Sequence, residues 1–415
     1  MTLSLELYRS TSRYLAAKAV GGRLPGALAG PVAPLRLVNR DEPRLPGPGW
    51  ARVRPRLAGI CGSDLATLSG QSSFYFSPLV SMPFVPGHEV VGELLEDLDG
   101  LAAGTRVVLD PVLSCGPRGV GPCSSCAAGE QGRCDRVTVG HVAPGLQTGY
   151  CADTGGGWSR RLVAHREQLH RVPDSLSDER AVLVEPLACA VHAVRRARIG
   201  AGDAVLVVGA GTVGLFTLLA IRAFTQAAEI TVVAKHDRQR ELAAVFGATD
   251  VVAPDRAVKA LRRSSQAFLL HPERGSDYLL GGADVAFEAT GASGGLNLAL
   301  RTVRAGGRVV LAGLPTARAD LTPVWFRELE LVGAYATGGT SGHAHTPEHE
   351  PAATTGEAPG RGSDFAAAMT LAAEAPLEGV VSATYPLQRW REAIDHAFAA
   401  GRLGALKIAF APQEE

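Results

Sequence analysis

Short runs of β-branched and apolar residues alternate with helical stretches in the second half of the chain. From residue 188 onward these runs read VLVVGAG, EITVVA, ADVAFEAT, GRVVLAG and LELVGAY. Residues 238–246 and 294–303, which lie between them, have helical periodicity. Strands that alternate with helices in this way are typical of repeated βαβ units, which build a parallel sheet. We therefore predict a doubly wound α/β domain over residues 188–336.

The first half of the chain has a different pattern. Between residues 50 and 108, short β-type runs are separated by turns without helical crossovers, which predicts a compact, mostly β domain. Residues 4–19 are predicted to form a short helix. Residues 21–48 are rich in glycine and proline, so we expect irregular structure there, with a brief strand at 35–38.

The C-terminal part is predicted to return to the first domain. Residues 338–362 are polar and contain few apolar side chains, so we expect a mobile surface loop. Its histidines are better explained as solvated side chains than as metal ligands: His343, His345 and His349. Two helical patterns and one strand pattern follow, at residues 365–375, 387–400 and 405–409.

Composition agrees with two globular domains. A chain of 415 residues with 46% hydrophobic and 20% charged residues exceeds one core of ordinary size. We divide it into residues 1–187 with 337–415, and residues 188–336. Lys plus Arg (41) equals Asp plus Glu (41), so no net field attracts nucleic acid or an anionic membrane. A small-molecule substrate is expected.

The location predicted from the sequence is the cytoplasm. Residues 1–6 carry no positive charge and no apolar leader follows, which argues against export. The uncharged stretch at 204–221 is long enough to raise the question of a membrane span, but glycines interrupt its first half. A buried strand, a glycine turn and a helix explain it better.

The glycines of VLVVGAGTVG have the spacing of a dinucleotide-binding turn. Gly209 would permit the tight turn, Gly211 would let a pyrophosphate approach the backbone, and Gly214 would let helix and strand pack closely. A purely structural turn is the alternative interpretation. To the same cofactor site we assign four further residues: Thr212, Val213, Thr290 and Gly313.

The end of the next strand is expected to contact the adenosine ribose. Ala234 stands where an acidic side chain usually binds the ribose of NAD. The residues that follow are basic and favour the 2′-phosphate of NADP: Lys235, His236 and Arg238. Asp237 is the alternative acidic partner, and a solvated start of a helix is the interpretation without function. We favour NADP(H) over NAD(H).

Four cysteines lie within twenty residues and predict a structural zinc site: Cys115, Cys123, Cys126 and Cys134. In a reducing compartment such a cluster indicates metal rather than disulfides. The neighbouring glycines supply turns rather than the periodicity of a buried core. Cys115 is the least secure ligand because the unusual spacer GPRGVGP separates it from Cys123.

A second set of candidate ligands is scattered along the chain: Cys61 in GICGSDL, His88 and Glu89 in PGHEVVG, and Glu185 in VEPLACAVHA. Thiolate, imidazole and carboxylate are all zinc ligands, and an open fourth position would make the ion a Lewis acid. Taken singly, each residue has a structural explanation, such as core packing, a turn, a salt bridge or a helix N-terminus.

These motifs together resemble the zinc-containing medium-chain dehydrogenase/reductase family, over about residues 50–335. The resemblance rests on GICGSDL, PGHEVVGEL, the four-cysteine lobe, VEPLACAVHA and VLVVGAGTVG. It implies a GroES-like, mostly β catalytic domain with two zinc ions, a Rossmann domain, and a homodimer or homotetramer. It also implies that Cys61 and His88, with Glu185 or Glu89, bind the catalytic zinc, and that Ser63 takes the substrate proton.

The activity implied by the resemblance is hydride transfer between NAD(P)(H) and a small alcohol or carbonyl compound. Two alternatives stay open: a reductase of imines or conjugated alkenes, and a non-catalytic scaffold that binds zinc and nucleotide. Two features depart from the family pattern. Ala66 replaces the histidine that often continues the proton relay, so a water chain or the cofactor ribose would have to substitute. The second departure is a group of aromatic residues between the candidate zinc ligands, namely Phe74, Tyr75 and Phe76. These rings either line the substrate site or pack in the core.

Overall fold

A computed structural model describes residues 1–20, 28, 30, 32–314, 318–338 and 363–415. The strands are β1 (Thr2–Leu7), β2 (Leu35–Arg40), β3 (Trp50–Gly59), β4 (Val90–Leu94), β5 (Arg106–Leu109), β6 (Leu162–His165), β7 (Leu169–Arg171), β8 (Ala204–Val208), β9 (Glu229–Val233), β10 (Asp250–Val252), β11 (Phe268–Leu270), β12 (Tyr278–Leu280), β13 (Ala283–Glu288), β14 (Val303–Leu311), β15 (Glu330–Gly333), β16 (Val381–Tyr385) and β17 (Lys407–Phe410). The helices are α1 (Thr11–Val20), α2 (Gly62–Leu68), α3 (Ser124–Ala127), α4 (Asp178–Ala181), α5 (Val184–Ala197), α6 (Thr212–Phe224), α7 (Asp237–Val245), α8 (Ala257–Ser264), α9 (Ser293–Thr302), α10 (Thr322–Phe326), α11 (Asp364–Glu374) and α12 (Trp390–Ala399).

A seven-stranded, mainly antiparallel sheet organises the first unit. Its order is β16-β17-β3-β4-β5-β7, and β6 pairs with the first part of β3. Alternating side chains of β3 and β4 are buried around Trp158 and Phe410. The turns at the ends of β3 and β4 carry the predicted metal ligands, because Cys61 follows β3 and His88 precedes β4.

A six-stranded parallel sheet organises the second unit, as the sequence predicts. Its order is β10-β9-β8-β13-β14-β15, and every neighbouring pair is parallel. The uncharged stretch at 204–221 forms β8, a glycine turn and most of α6. Among the described residues, no helix combines the length and apolar character needed to cross a membrane. The short hairpin of β11 and β12 was not expected from the sequence.

The C-terminal segment contacts both units. Strands β16 and β17 extend the first sheet, and α12 packs beside β17. Helix α11 instead packs against α5 and α6. The loop predicted at 338–362 lies outside the described residues except for Gly338, as do His343, His345 and His349. The domain boundaries given above stay a prediction.

The helix predicted over residues 4–19 is wrong in its first half. Residues 2–7 form β1, which pairs antiparallel with β2 from Thr2↔Arg40 to Leu7↔Leu35. Helix α1 begins only at Thr11. Leu5 and Leu7 alternate with polar residues and are buried in the core of the first unit, so packing selected the strand over the helix.

Candidate functional site

A cavity of about 900 Å³ lies between the two units. The first unit and the start of α5 contribute the candidate metal ligands to it: Cys61, His88, Glu89 and Glu185. The parallel-sheet unit contributes residues of the predicted cofactor site: Val213, Thr290 and Gly313. A volume of this size is typical of small-molecule sites. Both predicted sites therefore open into one cavity.

Asp64 positions Cys61 and His88 from behind. Its carboxylate accepts a hydrogen bond from the Cys61 backbone N–H (3.0 Å), and its Oδ1 lies 3.6 Å from His88 Nδ1. Burial favours the neutral imidazole, but the charges of Asp64 and Cys61 outweigh it and hold the pKa of His88 well above its ordinary value. A carboxylate behind a ligating imidazole fixes the orientation of the ring.

Glu89 forms a buried ion pair with a residue of the last strand. Lys407 Nζ lies 2.7 and 2.6 Å from its two carboxylate oxygens. Glu89 and Lys407 are only 1% and 3% exposed. Gly59 makes room for this carboxylate, since a Cβ there would overlap Glu89 Oε2. Glu89 is thus already partnered inside the protein.

The carboxylate of Glu185 has fewer partners for its charge than the carboxylate of Glu89. It lies in the first turn of α5 and accepts a hydrogen bond from the Cys189 thiol (3.4 Å). Burial raises the pKa of Glu185 to about 7, against the opposing charge of His88. Within the described residues, Asp64, Glu89 and Glu185 are buried near a single lysine. This donor set fits a divalent cation, whose charge would offset the cost of the buried carboxylates.

Hydroxyl groups continue outward from Ser63. Its Oγ lies 3.5 Å from His88 Nε2. Thr67 Oγ1 lies 3.0 Å from Ser72 Oγ and 3.5 Å from the Tyr150 hydroxyl. Burial raises the pKa of Tyr150 well above its ordinary value, although hydrogen bonds with Thr67 and Ser63 oppose the shift. Ser63 therefore adjoins a short network of neutral hydroxyls.

The four clustered cysteines meet in a separate lobe. All four Sγ atoms lie within 4.8 Å of one another. Cys115 belongs to the group despite its long spacer, with its Sγ 3.6 Å from that of Cys134. The buried Arg118 donates hydrogen bonds to backbone carbonyls, including those of Leu113 (2.9 Å) and Val142 (3.1 Å), and so fixes the spacer.

The glycine turn after β8 has the geometry that its spacing predicts. Gly209 has a φ of +100°, which a side chain would disfavour. A Cβ at Gly214 would overlap the carbonyl oxygen of Gly209. A Cβ at Gly211, the residue that caps α6, would meet nothing within 4 Å. The first and third glycines are therefore required by packing, whereas the second leaves open space at the start of the helix.

Glu288 organises the loop that faces this turn. Its buried carboxylate accepts hydrogen bonds from the backbone N–H groups of Thr290 (2.8 Å) and Gly291 (3.0 Å), and from the Thr290 hydroxyl. Thr290 Cγ2 in turn lies against Gly209, and Gly313 lies against the Gly291 N–H. The predicted contacts Thr290 and Gly313 thus lie close to the glycine turn, at the ends of β13 and β14.

The basic residues that the sequence assigns to the cofactor follow β9 and do not line the cavity. Lys235 is exposed, and Arg238 is half-buried with Glu241 as a partner (3.2 Å). His236 packs beside the turn after α12, since a Cβ at Gly401 would lie 2.6 Å from its ring. Asp237, the alternative acidic residue, is largely exposed and pairs with Arg240.

Sequence reasoning missed several residues of this site. Asp64 had a local signal, because it follows Cys61 by three residues in GICGSDL. Glu288 had a weaker one, as an acidic residue that ends a buried strand. Lys407 had none, since 318 residues separate it from Glu89.

Comparison with known proteins places both units in one family. The alcohol dehydrogenase GroES-like domain matches residues 47–174, and the zinc-binding dehydrogenase domain matches residues 212–348. L-idonate 5-dehydrogenase of Vitis vinifera is 32% identical, and sorbitol dehydrogenase of Arabidopsis thaliana 31%; each match covers 70% of this chain and 74% of the relative. A protein of Sinorhizobium meliloti 1021 solved bound to NADP has the same fold, with a TM-score of 0.68 and 23% identity over 99% of this chain and 100% of that one.

The glycine turn gives a direct test of the cofactor site. Gly214→Ala is expected to lower the free energy of unfolding by about 1–3 kcal/mol, because its Cβ overlaps backbone. Gly211→Ala is expected to leave the thermal unfolding midpoint unchanged and to weaken binding of NADPH about tenfold, because its Cβ occupies the space that a pyrophosphate would approach. Thermal unfolding and fluorescence titration measure the two effects. Parental NADPH affinity in Gly211→Ala would contradict this placement.

Proposed function

The chain belongs to the zinc-dependent medium-chain dehydrogenase/reductase family, and we propose that Cys61, His88 and Glu185 bind the metal ion of its active site. The protein is a zinc-dependent oxidoreductase that transfers hydride between a nicotinamide dinucleotide and an alcohol or carbonyl compound. Nothing in the comparisons favours an imine or alkene reductase. The observation that carries the proposal is the shared cavity, into which the ligand set and the dinucleotide turn both open.

The choice between the two glutamates rests on their partners. Both oxygens of Glu89 contact Lys407, so its charge is already balanced. Glu185 has only the Cys189 thiol as a hydrogen-bond partner among the described residues, and burial raises its pKa to about 7. A cation favours the ionised form of such a group. We propose that Glu185 is the metal ligand. We propose that Lys407 keeps the charged carboxylate of Glu89 away from the metal ion.

The ion would polarise the oxygen of the substrate and lower the pKa of an alcohol. The remaining roles in the reaction belong to residues of the chain. The Asp64 carboxylate, 3.6 Å from the His88 ring, would orient that ring, the apolar walls of the cavity would exclude water, and the loop at Thr290 would face the nicotinamide. We propose that Ser63 Oγ accepts the proton of the alcohol.

The onward path of that proton does not require the histidine that Ala66 replaces. We propose that it passes from Ser63 through the hydroxyls of Tyr150 and Thr67 to Ser72, which is partly exposed. Each hydroxyl can both donate and accept, and a proton moves along the row once the Thr67 hydroxyl turns from the Ser63 carbonyl, to which it donates (2.9 Å), toward Ser72. The contacts among these hydroxyls support this route, which we propose in place of a water chain or the cofactor ribose.

The metal assignment predicts different losses for the two glutamates. Glu185→Gln is expected to remove one zinc per chain and to lower turnover at least a hundredfold, because a neutral amide is a poor zinc ligand. Glu89→Gln is expected to retain that zinc but to lower the free energy of unfolding by about 3–5 kcal/mol, because Lys407 is left buried and unpaired. Elemental analysis and denaturant unfolding give the readouts. Glu392→Gln, on the surface of α12, is the matched control.

The reverse result would identify Glu89 as the ligand. It would consist of zinc loss in Glu89→Gln with zinc retained in Glu185→Gln. Full activity in Cys61→Ser would refute the metal-dependent mechanism itself.

We propose a second, structural zinc in the four-cysteine lobe, which makes two zinc ions per chain. Cys126→Ser is expected to remove one zinc and to lower the thermal unfolding midpoint, because binding at a closed site contributes to folding. Cys151→Ser is the control, since Cys151 is a buried thiol that donates to the Ala143 carbonyl and lies outside the cluster. Unchanged zinc content in Cys126→Ser would exclude this site. Thiols of this kind bind metal only while reduced, so we also propose that the protein works in the cytoplasm.

We propose that the cofactor is NADP(H). Ala234 offers no carboxylate to the ribose. Lys235 is exposed, and Arg238, which pairs with Glu241 at the surface (3.2 Å), can exchange that partner for a 2′-phosphate. The Sinorhizobium meliloti protein of the same fold was solved with NADP, which is compatible with this preference.

The preference can be measured as the ratio of kcat/KM with NADPH to that with NADH. We expect this ratio to be at least ten in the parent enzyme. We expect the ratio to fall about tenfold in Lys235→Ala and in Arg238→Ala, because each substitution removes a charged hydrogen-bond donor. Arg262→Ala, exposed at the end of α8, should leave the ratio unchanged. A parent enzyme that prefers NADH would refute the proposal.

We propose that the protein forms a homodimer through β15. This strand is one edge of the parallel sheet, and exposed apolar residues lie beside it: Trp325 (81% exposed), Phe326 and Leu331. An apolar sheet edge of this kind is protected by pairing with another chain.

Light scattering should show a dimer. Trp325→Glu is expected to weaken its association at least about thirtyfold, as for a central aromatic residue of an interface. Val245→Glu, on α7 beside the opposite edge of the sheet, is the control. A dimer of parental stability in Trp325→Glu would exclude this edge.

A further inference from the structure

The N-terminal segment forms part of the cavity wall. Strands β1 and β2 pair as neighbours, and α1 (Thr11–Val20) lies between them in the sequence. Helix α1 precedes residue 47, where the match to the GroES-like domain begins. From α1, Tyr14 and Leu15 line the cavity. The segment therefore adds a wall to the site that the matched domain does not include.

Specific contacts hold α1 against the mouth of the cavity. The Tyr14 hydroxyl donates a hydrogen bond to the Gly70 carbonyl (3.1 Å), and the Tyr14 ring lies 5.3 Å from the Phe74 ring. Lys18 Nζ lies 5.6 Å from the centre of the Phe74 ring. Gly70 has a φ of +66°, and a Cβ there would lie 3.2 Å from Lys18 Cβ, so α1 approaches the chain closely. Phe74 is thereby placed between α1 and the cavity.

The outer part of the cavity is apolar. The aromatic and aliphatic side chains that line it include Tyr14, Phe74, Phe76, Met82, Phe84 and Leu146. Among the described lining residues, the only carboxylates are Glu89 and Glu185, beside Cys61. The side-chain amide of Gln147 already accepts from Tyr335, and the Ser72 and Ser73 hydroxyls bond to Thr67 and Tyr75. Arg9, Ser10, Thr11 and Ser77 also line the cavity, but most of its lining surface is apolar.

The mainly apolar lining of the outer cavity decides between two substrate classes. A polyol buried here would exchange its hydrogen bonds with water for contacts with rings and methyl groups, and each hydroxyl left unpaired would cost binding energy. An apolar body would instead gain from leaving water, in proportion to the apolar area buried. The relatives named above act on L-idonate and sorbitol, which carry many hydroxyls.

We infer that the substrate of this enzyme is an alcohol with a bulky, mainly apolar body, or the matching carbonyl compound, and that Tyr14 and Phe74 select it. The inference rests on the oxidoreductase function proposed above. The reacting carbon lies beside Cys61 and Ser63, and the apolar body fills the space between Phe74, Phe84 and α1.

The experiment compares menthol and borneol with sorbitol and xylitol on the full-length, zinc-loaded protein with NADP+. We expect kcat/KM to be at least a hundredfold higher for the cyclic alcohols. Binding to the protein–NADP+ complex, followed by saturation-transfer NMR, gives a readout independent of turnover. A kcat/KM for either polyol that reaches a tenth of the menthol value would overturn the inference while leaving the oxidoreductase function intact. No oxidation of any of the four would refute both.

Variants test the role of the wall itself. Phe74→Ala and Tyr14→Ala are each expected to raise KM for menthol about tenfold and to lower the ratio of menthol to isopropanol kcat/KM. Tyr75→Ala is the matched control, because Tyr75 is 78% exposed on the same turn and does not line the cavity. Phe74 is 66% exposed, so its truncation should not unfold the protein, which circular dichroism checks. An unchanged KM for menthol in both wall variants would show that α1 does not select the substrate.

Discussion

The buried pair of Glu89 and Lys407 is the constraint on which the site depends. A charge with almost no solvent exposure must have a partner, and here the partners lie 318 residues apart in the sequence. Lys407 begins β17, which pairs with the end of β3 at Ala409↔Gly59, two residues before Cys61. Glu89 directly precedes β4. One ion pair therefore fixes the C-terminal strand and the two turns that carry Cys61 and His88, and it keeps one carboxylate away from the centre of the site.

Helix α5 connects this arrangement to the cofactor side. Its first turn contains Glu185, and its length packs against α6, which begins at the glycine turn. The apolar face shared by α5, α6 and α11 is one continuous core, so Glu185 and the glycine turn are held by the same packed helices.

Several parts of the site could be predicted from the sequence because their signals are local. The four cysteines, the three glycines and GICGSDL each lie within about twenty residues, and local turns bring their members together. The parallel sheet was predictable for the same reason, since strand and helix periodicities alternate along the chain. The local pattern gave the wrong prediction at residues 4–19, where a helix was expected. Residues 2–7 instead form β1, which is stabilised by its pairing with β2. Likewise, Phe74 and Phe76 fit a core or a substrate wall equally well until α1 and the cavity are in place.

The sequence by itself determined the fold class, the four-cysteine cluster and the position of the glycine turn, since short-range spacing and periodicity encode them. The scattered candidate ligands Cys61, His88, Glu89 and Glu185 were recognised only through the resemblance to a known family. The tertiary structure alone decided which glutamate is bound to a lysine, which hydroxyls adjoin Ser63, and what α1 covers. Those features depend on contacts between residues far apart in the chain, such as the 318 residues between Glu89 and Lys407. No local pattern specifies such contacts, because they form only when two separately folded surfaces pack together.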